Sequence, residues 1–326
     1  MQDDIAQAAI DVFPKFRRFD KLYANTGIEA RHICMPWDWY LQPRGWKERT
    51  AAFQEHGLNL LEEAARAALD DASLEAADID CIVVNTVTGL AVPSLDALLA
   101  NRMGFRPDIE RLPIFGFGCG GGAAGLSRAA QLAHGDRKVL FLTVDLCTLT
   151  LRVNAPTIEM FVACALFGDG AAAVVIEAGG STTGKAEVIA TGEHMWPGTQ
   201  HLMGWDVADD GFALVLSPDL PAHLTASLEE PLTDFLARSD ISAADLDGYL
   251  FHPGGSRVLD ALQEILDLSD EDLFHSRDTL RAYGNMSSAT VLFVLKSALA
   301  SGASGRHLLA AFGPGFSAYF MLLDLG

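Results

Sequence analysis

Three short blocks of the sequence carry side chains able to act together. In Phe115-Gly116-Phe117-Gly118-Cys119-Gly120-Gly121-Gly122-Ala123-Ala124-Gly125, a β-prone run gives way to a glycine-rich turn and then to an amphipathic stretch. A cysteine on such a turn faces the N–H groups of a helix start, which favour the thiolate and lower the thiol pKa. That pattern reads as an activated nucleophile. The bland reading is a small core residue, which most free cysteines are. A phosphate-binding loop is disfavoured, because the spacing fits neither Gly-x-Gly-x-x-Gly with a later acid nor a Lys-Ser/Thr ending. The second block is Phe251-His252-Pro253-Gly254-Gly255, where a strand delivers a histidine onto a glycine turn ahead of a helix over 258–265. The third is Tyr283-Gly284-Asn285-Met286-Ser287-Ser288, just before an apolar helix running to Leu299. Taken singly, a histidine at a strand end is often structural and an Asn before two serines is a routine helix cap. Taken together, Cys, His and Asn can supply a thiolate–imidazolium pair and an amide donor.

Positioning three such blocks requires a layered scaffold. Apolar residues Leu58, Leu61, Ala64, Ala65, Ala68 and Leu69 recur at three- and four-residue steps and predict a helix over 57–73. Cys81-Ile82-Val83-Val84, Lys138 to Leu146 and Gly170 to Ile176 are apolar and β-prone, as strands covered on both faces are. With a helix over 122–134 between them, the order is βαβα, which predicts α/β architecture with largely parallel sheets. Ala77-Asp78-Ile79-Asp80 recurs as Ala244-Asp245-Leu246-Asp247, 167 positions further on, and each is followed by a strand and a glycine. Gly168-Asp169-Gly170 and Gly313-Pro314-Gly315 likewise each precede an apolar strand. The chain therefore reads as a duplication, with halves 1–178 and 179–326 joined through Gly179-Gly180-Ser181-Thr182-Thr183-Gly184.

Composition narrows the function classes. The 326 residues are half hydrophobic, and 23 Lys plus Arg stand against 43 Asp plus Glu, a net charge of −20. Such a chain repels a phosphate backbone, so nucleic acid is not an expected partner, and an anionic ligand needs a local basic cluster. Apolar runs fall far short of the ~20 residues of a membrane span. The acidic start, without a basic and then apolar leader, predicts a cytoplasmic location. Cys34, Cys81, Cys119, Cys147 and Cys164 are odd in number and lack CxxC spacing, so neither a disulfide framework nor a metal site is expected.

Five blocks in order, Gly118-Cys119-Gly120-Gly121-Gly122, Leu166-Phe167-Gly168-Asp169-Gly170-Ala171-Ala172-Ala173, His252-Pro253-Gly254-Gly255, Tyr283-Gly284-Asn285-Met286-Ser287-Ser288-Ala289 and Phe312-Gly313-Pro314-Gly315, resemble those of type III polyketide synthases, the chalcone synthase-like branch of the thiolase superfamily. The resemblance spans nearly the whole chain. It implies a thiolase-like αβαβα five-layer sandwich of two similar halves, acting as a homodimer with Val92 near the subunit boundary. It implies an acyltransferase that condenses an acyl-CoA starter with malonyl-CoA and cyclises the product to a pyrone, resorcinol or phloroglucinol, with CoA thioesters as substrates and no cofactor. By motif, Cys119 carries the acyl chain, while His252 and Asn285 activate the thiolate and bind the thioester oxygen.

Around that trio, the resemblance places Phe167 at the site entrance, Gly313 and Pro314 on the pocket wall, and Arg17, Arg18 and Lys21 at a tunnel mouth for the CoA phosphates. Several positions depart from the plant pattern. Leu214 stands where a second entrance phenylalanine is usual, Trp205 where glycine is common, and Asn25 in place of another lysine. Cys147 and Thr150 align with cavity threonines, Cys147 offering a side tunnel for a fatty chain. The extra segment that forms the family's first strand is absent ahead of Met1, which predicts a sheet short of an edge or centre strand, or a natural start further upstream. The rivals are a β-ketoacyl synthase III-like enzyme acting in a single round with acyl carrier protein, a non-catalytic thiolase-fold scaffold, and a Cys/His/Asn hydrolase.

Overall fold

The computed structural model describes residues 2–19, 21–179 and 184–326, so most of the linker expected at 179–184 lies outside the described residues. The helices, in chain order, are α1 (Gln2–Val12), α2 (Lys21–Ala24), α3 (Trp37–Tyr40), α4 (Trp46–Ala72), α5 (Leu95–Met103), α6 (Gly121–Leu132), α7 (Ile158–Leu166), α8 (Leu220–Ser227), α9 (Glu229–Ala237), α10 (Ser256–Leu266), α11 (Phe274–Tyr283) and α12 (Thr290–Ser301). The strands are β1 (Cys81–Thr86), β2 (Glu110–Phe115), β3 (Lys138–Leu146), β4 (Asp169–Glu177), β5 (Ala186–Met195), β6 (Met203–Ala208), β7 (Gly211–Leu216), β8 (Gly248–Phe251), β9 (Gly305–Gly313) and β10 (Ser317–Leu325). They form one sheet in the order β2-β1-β3-β4, a second in the order β5-β10-β9-β8, and the β6–β7 hairpin.

The alternation of side chains along a strand builds five layers. Ile82, Val84, Leu140 and Leu142 face α4 and α5 on the outside. Cys81, Val83, Val139 and Phe141 face inward, onto α6 and α12. Those two helices are shared, for Leu309, Ala311, Met321 and Leu323 of the second sheet cover their other side. Leu308, Ala310, Phe320 and Leu322 point the opposite way, under α8 to α11. The result is the thiolase-like αβαβα sandwich. Because both faces of β1, β3, β9 and β10 are covered, these strands read as continuous apolar runs.

The duplication extends to single hydrogen bonds. Asp80 exchanges bonds with Lys138, its N–H to the Lys138 carbonyl and its carboxylate accepting from the Lys138 N–H, both at 2.9 Å. Asp247 repeats the arrangement with Arg306, both at 2.7 Å. In each half the aspartate thereby fixes the parallel register between the strand that follows it and the next one, β1 on β3 and β8 on β9.

Two expectations require correction. The sheets are mixed, since β4 runs antiparallel to β3, and β10 antiparallel to both β9 and β5. The turn Pro314–Phe316 closes a β9–β10 hairpin where a crossover helix would have been needed for parallel pairing. The helix expected from Gly57 starts at Trp46, where the Gly45 N–H bonds to Glu48 Oε2 at 3.2 Å. Buried Arg49, Ala52 and Phe53 continue its inner stripe, and the charged Lys47-Glu48-Arg49 run conceals that continuity in the sequence. The far edge of β4 is paired with no strand among the described residues, whereas β5 covers the equivalent edge of β10.

The starts of α6 and α12 pack so closely that a methyl group on Gly122 would collide with the Ser288 carbonyl. Gly122→Ala is therefore expected to destabilise the fold by about 1–3 kcal/mol, read as a lower urea midpoint. An unchanged midpoint would show that the two helices can separate without penalty.

Candidate active site

Cys119 sits on a single 3₁₀ turn, Gly118–Gly120, which runs directly into α6. The turn is thin because its neighbours are close: Gly118 has φ +52°, and a side chain there would meet the Pro314 ring at 2.6 Å. Gly313 in turn packs on the Phe117 carbonyl and the Gly120 N–H. The β9–β10 turn of the second half therefore forms a wall against the cysteine turn of the first, which brings Gly313 and Pro314 beside Cys119.

Asn285 arrives from the opposite direction, on the loop between α11 and α12. Cys119 Sγ lies 3.9 Å from both Oδ1 and Nδ2 of Asn285. The carboxamide orientation is fixed by its partners: Oδ1 accepts the Ser287 N–H at 2.8 Å, and Nδ2 donates to the Gly254 carbonyl at 3.1 Å. Through Gly254 the amide also ties down the turn that follows His252. That histidine is delivered by β8, its N–H bonding to the Ala310 carbonyl at 2.8 Å, and it is 2% exposed. Neither of its ring nitrogens has a hydrogen-bond partner among the described residues. A buried imidazole with both nitrogens uncommitted is rare as a structural residue, and a polar substrate atom would satisfy it.

Burial governs the charges in this chamber. It pushes the Cys119 thiol up to about 11, with hydrogen bonds from Ser287 and Asn285 offsetting only part of the effect. It pulls His252 down to about 3. The expectation that the helix start would lower the thiol pKa is thus overturned. Cys119 is 6% exposed, and removal from water outweighs the backbone dipoles.

A second buried group supports the site. Asp145, at the end of β3, accepts from the Val87 N–H at 2.8 Å, the Ser288 N–H at 3.1 Å and the Ser288 hydroxyl at 2.5 Å, with Thr86 and Thr88 hydroxyls at 3.3 Å. It therefore clamps the end of β1 to the Asn285–Ser288 loop. Ser288 also bonds Thr143 at 2.5 Å, which receives Asn85 Nδ2 at 3.0 Å. Burial raises the Asp145 pKa, and those donors lower it. Asp145, Ser287 and Ser288 were not singled out from the sequence. A carboxylate inside the otherwise apolar run from Val139 to Leu146 was the available signal.

The other residues expected at the site divide into three groups. Phe167, half-buried at the end of α7, forms an isolated parallel bridge with Asn285 and so borders the trio. Cys147 and Thr150 share the 3₁₀ turn that follows β3; both are buried, and the Thr150 hydroxyl is committed to the Cys147 carbonyl at 2.7 Å. Burial raises the Cys147 thiol well above its ordinary range. Trp205 and Leu214 are direct cross-strand partners in the β6–β7 hairpin, with Trp205 stacked on Phe212 at 6.0 Å. Arg17 and Arg18 lie on the exposed 3₁₀ segment Pro14–Phe19, and Lys21 opens α2. This segment packs on α7 through Phe16 and Phe161, 5.5 Å apart. It also meets the first turn of α10, where the Ser256 hydroxyl donates to the Asn25 carbonyl at 3.1 Å. The cations thus sit on a rim between the elements that carry Phe167 and follow His252.

The structure sets Asn285 against a buried cysteine on a helix-starting turn and ties it to the turn that follows a buried histidine. Residues 40–180 match the N-terminal domain of chalcone and stilbene synthases, and residues 187–324 match the C-terminal domain. A 1,3,6,8-tetrahydroxynaphthalene synthase of Streptomyces peucetius is 42% identical over 93% of this chain and 82% of its own. A phloroglucinol synthase of Pseudomonas fluorescens is 32% identical over 94% of this chain and 88% of its own. The crystal structure of the 1,3,6,8-tetrahydroxynaphthalene synthase of Streptomyces coelicolor, at 31% identity, superposes with a TM-score of 0.94 over 100% of this chain and 95% of that one. Fold, motif order and relatives agree: the chain belongs to the chalcone and stilbene synthase family and is a type III polyketide synthase.

Proposed function

We propose that Cys119 is the acyl-bearing nucleophile of a malonyl-CoA-dependent condensing cycle in which His252 and Asn285 bind the reacting thioester oxygen. The observation that carries this reading is the carboxamide of Asn285, which reaches Cys119 Sγ and the turn after His252 at once. The Cys119 proton passes to the His252 imidazole, and the thiolate takes the acyl group from the starter, releasing CoA thiol. Malonyl-CoA then loses CO2, and the electron pair left behind forms an enolate whose oxygen faces the two donors. Donors are what this step requires, for a bare carboxylate would oppose the developing charge. Asp145, the nearby carboxylate, is already engaged by five donors. The enolate carbon attacks the Cys119 thioester, restoring the thiolate, and the lengthened chain returns to Cys119 for another round.

The rim of Arg17, Arg18 and Lys21 supplies the local positive field that CoA phosphates need on a chain of charge −20. Phe167, Leu214, Trp205, Cys147, Thr150, Gly313 and Pro314 bound the space in which the chain grows. Halves meeting between residues 178 and 179 fit the end of β4 at Glu177 and the start of β5 at Ala186. The product is a cyclised aromatic or pyrone, with a polyhydroxylated aromatic favoured by the two relatives named above. CoA thioesters and a reduced thiol are both conditions of the cytoplasm.

Incubation with a panel of short, long and aromatic acyl-CoAs and radiolabelled malonyl-CoA, read by mass spectrometry, tests the cycle. Cys119→Ala should abolish chain extension, and Asn285→Ala should slow CO2 release by about a hundredfold or more. Undiminished product from Cys119→Ala would end the assignment.

Burial opposes charge on either group and so favours the neutral thiol and the neutral imidazole between about pH 3 and about 11. Proton transfer from Cys119 to His252 leaves the chamber's net charge at zero, and the thiolate fraction then does not follow bulk pH. Alkylation of Cys119 by iodoacetamide, followed at its own peptide, should therefore be nearly constant from about pH 5 to about pH 9. In His252→Gln the rate should instead climb about tenfold per pH unit. A tenfold rise per unit in the unaltered protein would remove the internal transfer.

A homodimer is the state we assign. Val92 is 96% exposed, and Leu90, Leu112 and Phe115 are also exposed. Phe115 ends β2 opposite Thr86, from which the loop carrying Leu90 and Val92 departs. Sedimentation at micromolar concentration should give about twice 34.9 kDa, and Val92→Glu with Phe115→Glu should reduce it to the single-chain mass. A monomer in the unaltered protein would overturn this assignment.

A further inference from the structure

We infer that Arg31 is a positioning residue for the condensation, holding the entrance aromatic Phe167 and the amide of Asn285 in one register. The inference rests on the roles proposed above for Asn285 and Cys119, and goes beyond them to a guanidinium that touches neither substrate nor sulfur.

The α7 helix ends at Leu166, so its last carbonyls need partners from outside the helix. Each of them finds one. Arg31 Nη1 donates to the Cys164 carbonyl at 2.6 Å and to the Phe167 carbonyl at 2.9 Å. Gln2 Nε2 donates to the Ala165 carbonyl at 3.0 Å, and the Asn285 N–H donates to the Leu166 carbonyl at 2.9 Å. The Gly168 N–H completes the bridge by donating to the Asn285 carbonyl at 3.0 Å. Arg31 Nη2 is held by Gln2 Oε1 at 2.7 Å, and Gln2 is anchored in turn on the Thr26 hydroxyl at 3.1 Å. One guanidinium thus grips the carbonyl of Phe167, the residue that pairs with Asn285, together with that of Cys164 one turn earlier.

Its stem completes the grip. Gly284, the residue before Asn285, has φ +68°, and a side chain there would meet Arg31 Cγ at 2.6 Å and the Leu166 carbonyl at 3.0 Å. Gly168, the residue after Phe167, comes within 3.3 Å of Arg31 Cβ by the same measure. The backbone segments carrying Phe167 and Asn285 therefore both lie on Arg31. Among the described residues none of its hydrogen-bond acceptors is a carboxylate. The positive charge faces the carbonyl end of α7, where a helix favours a cation, and planar donor geometry rather than ion pairing sets the position. Loss of the donors would let the last turn of α7 relax, and Asn285 would follow through the two bonds it shares with Leu166 and Gly168.

The test separates the two half-reactions. Acylation of Cys119 by a starter acyl-CoA, followed by intact mass, should stay within about twofold in Arg31→Met, which keeps the stem and removes the donors. Release of CO2 from malonyl-CoA should fall by about ten- to a hundredfold, and Arg31→Lys should recover less than half of it. The double variant Arg31→Met, Asn285→Ala should be no slower than Asn285→Ala alone, since the first residue acts through the second. Equal loss in both half-reactions, or losses that multiply in the double variant, would overturn the inference. Should Arg31→Met fail to fold, Gln2→Leu removes a partner of the same guanidinium and must show the same selective loss in smaller degree; equal activity in both half-reactions would overturn it. An unaltered protein that releases no CO2 would sink the parent reading, whereas an active one matched by Arg31→Met would sink this inference alone.

Discussion

The contact on which the site depends is the close approach of two helix starts at the centre of the sandwich. The α6 and α12 helices are buried between two sheets, and glycine at position 122 lets the backbone of one come against the Ser288 carbonyl of the other. Cys119 stands just before the first helix and Asn285 just before the second, 166 positions apart in sequence. That separation is almost the spacing of the repeated Ala-Asp-x-Asp turns. The duplication therefore accounts for the encounter: equivalent helix starts of two similar halves face each other across the shared layer, one preceded by Cys119 and the other by Asn285. His252 follows β8 in a different part of the second half, and its turn is linked to Asn285 through the Gly254 carbonyl.

Burial is both the condition and the difficulty of this chemistry. Exclusion of water strengthens the interaction of donors with an enolate oxygen, yet burial also favours the thiol form of Cys119 and the neutral form of His252. The proton transfer proposed above between the two groups brings no net charge into the site. Asp145, a further titratable group clamped to this loop, is surrounded by hydroxyl and backbone N–H donors, and its structural role follows from those hydrogen bonds.

Much of the fold could be read from the sequence because its signals are local. The strand over 138–146 and the α6 helix follow from apolar runs and periodicity, and the trio follows from residue type on glycine turns. Strand direction could not be read this way, since an apolar strand has the same pattern in either orientation and the β9–β10 reversal turns on Gly313-Pro314-Gly315 alone. The thiol pKa escapes the sequence for a related reason: a helix start is visible there, whereas the burial that outweighs it involves residues far along the chain, among them Asn285 against the sulfur. Arg31 and Asp145 were illegible as site residues because, Gln2 apart, their hydrogen-bond partners lie 57 to 143 positions away, and neither carries a motif.

A pattern in how the arginines are used bears on specificity. Arg49, buried in α4, donates to the carbonyls of Leu149, Leu151, Arg44 and Asp210. It thereby joins the turn that carries Cys147 and Thr150 to the hairpin that carries Trp205 and Leu214, and Arg152 adds an ion pair to Asp210 at 2.6 Å. These contacts are made to backbone carbonyls, apart from that one carboxylate. Side chains at 147, 205 and 214 can therefore change without altering what holds their segments in place. Nor do those segments share hydrogen bonds with Asn285, whose position is set by Ser287, Gly254 and the α7 crossing. Cys147, Trp205 and Leu214, where the chain departs from the plant pattern, thus lie on segments held through their main chain, and substitution there touches none of the hydrogen bonds that hold Asn285 among the described residues.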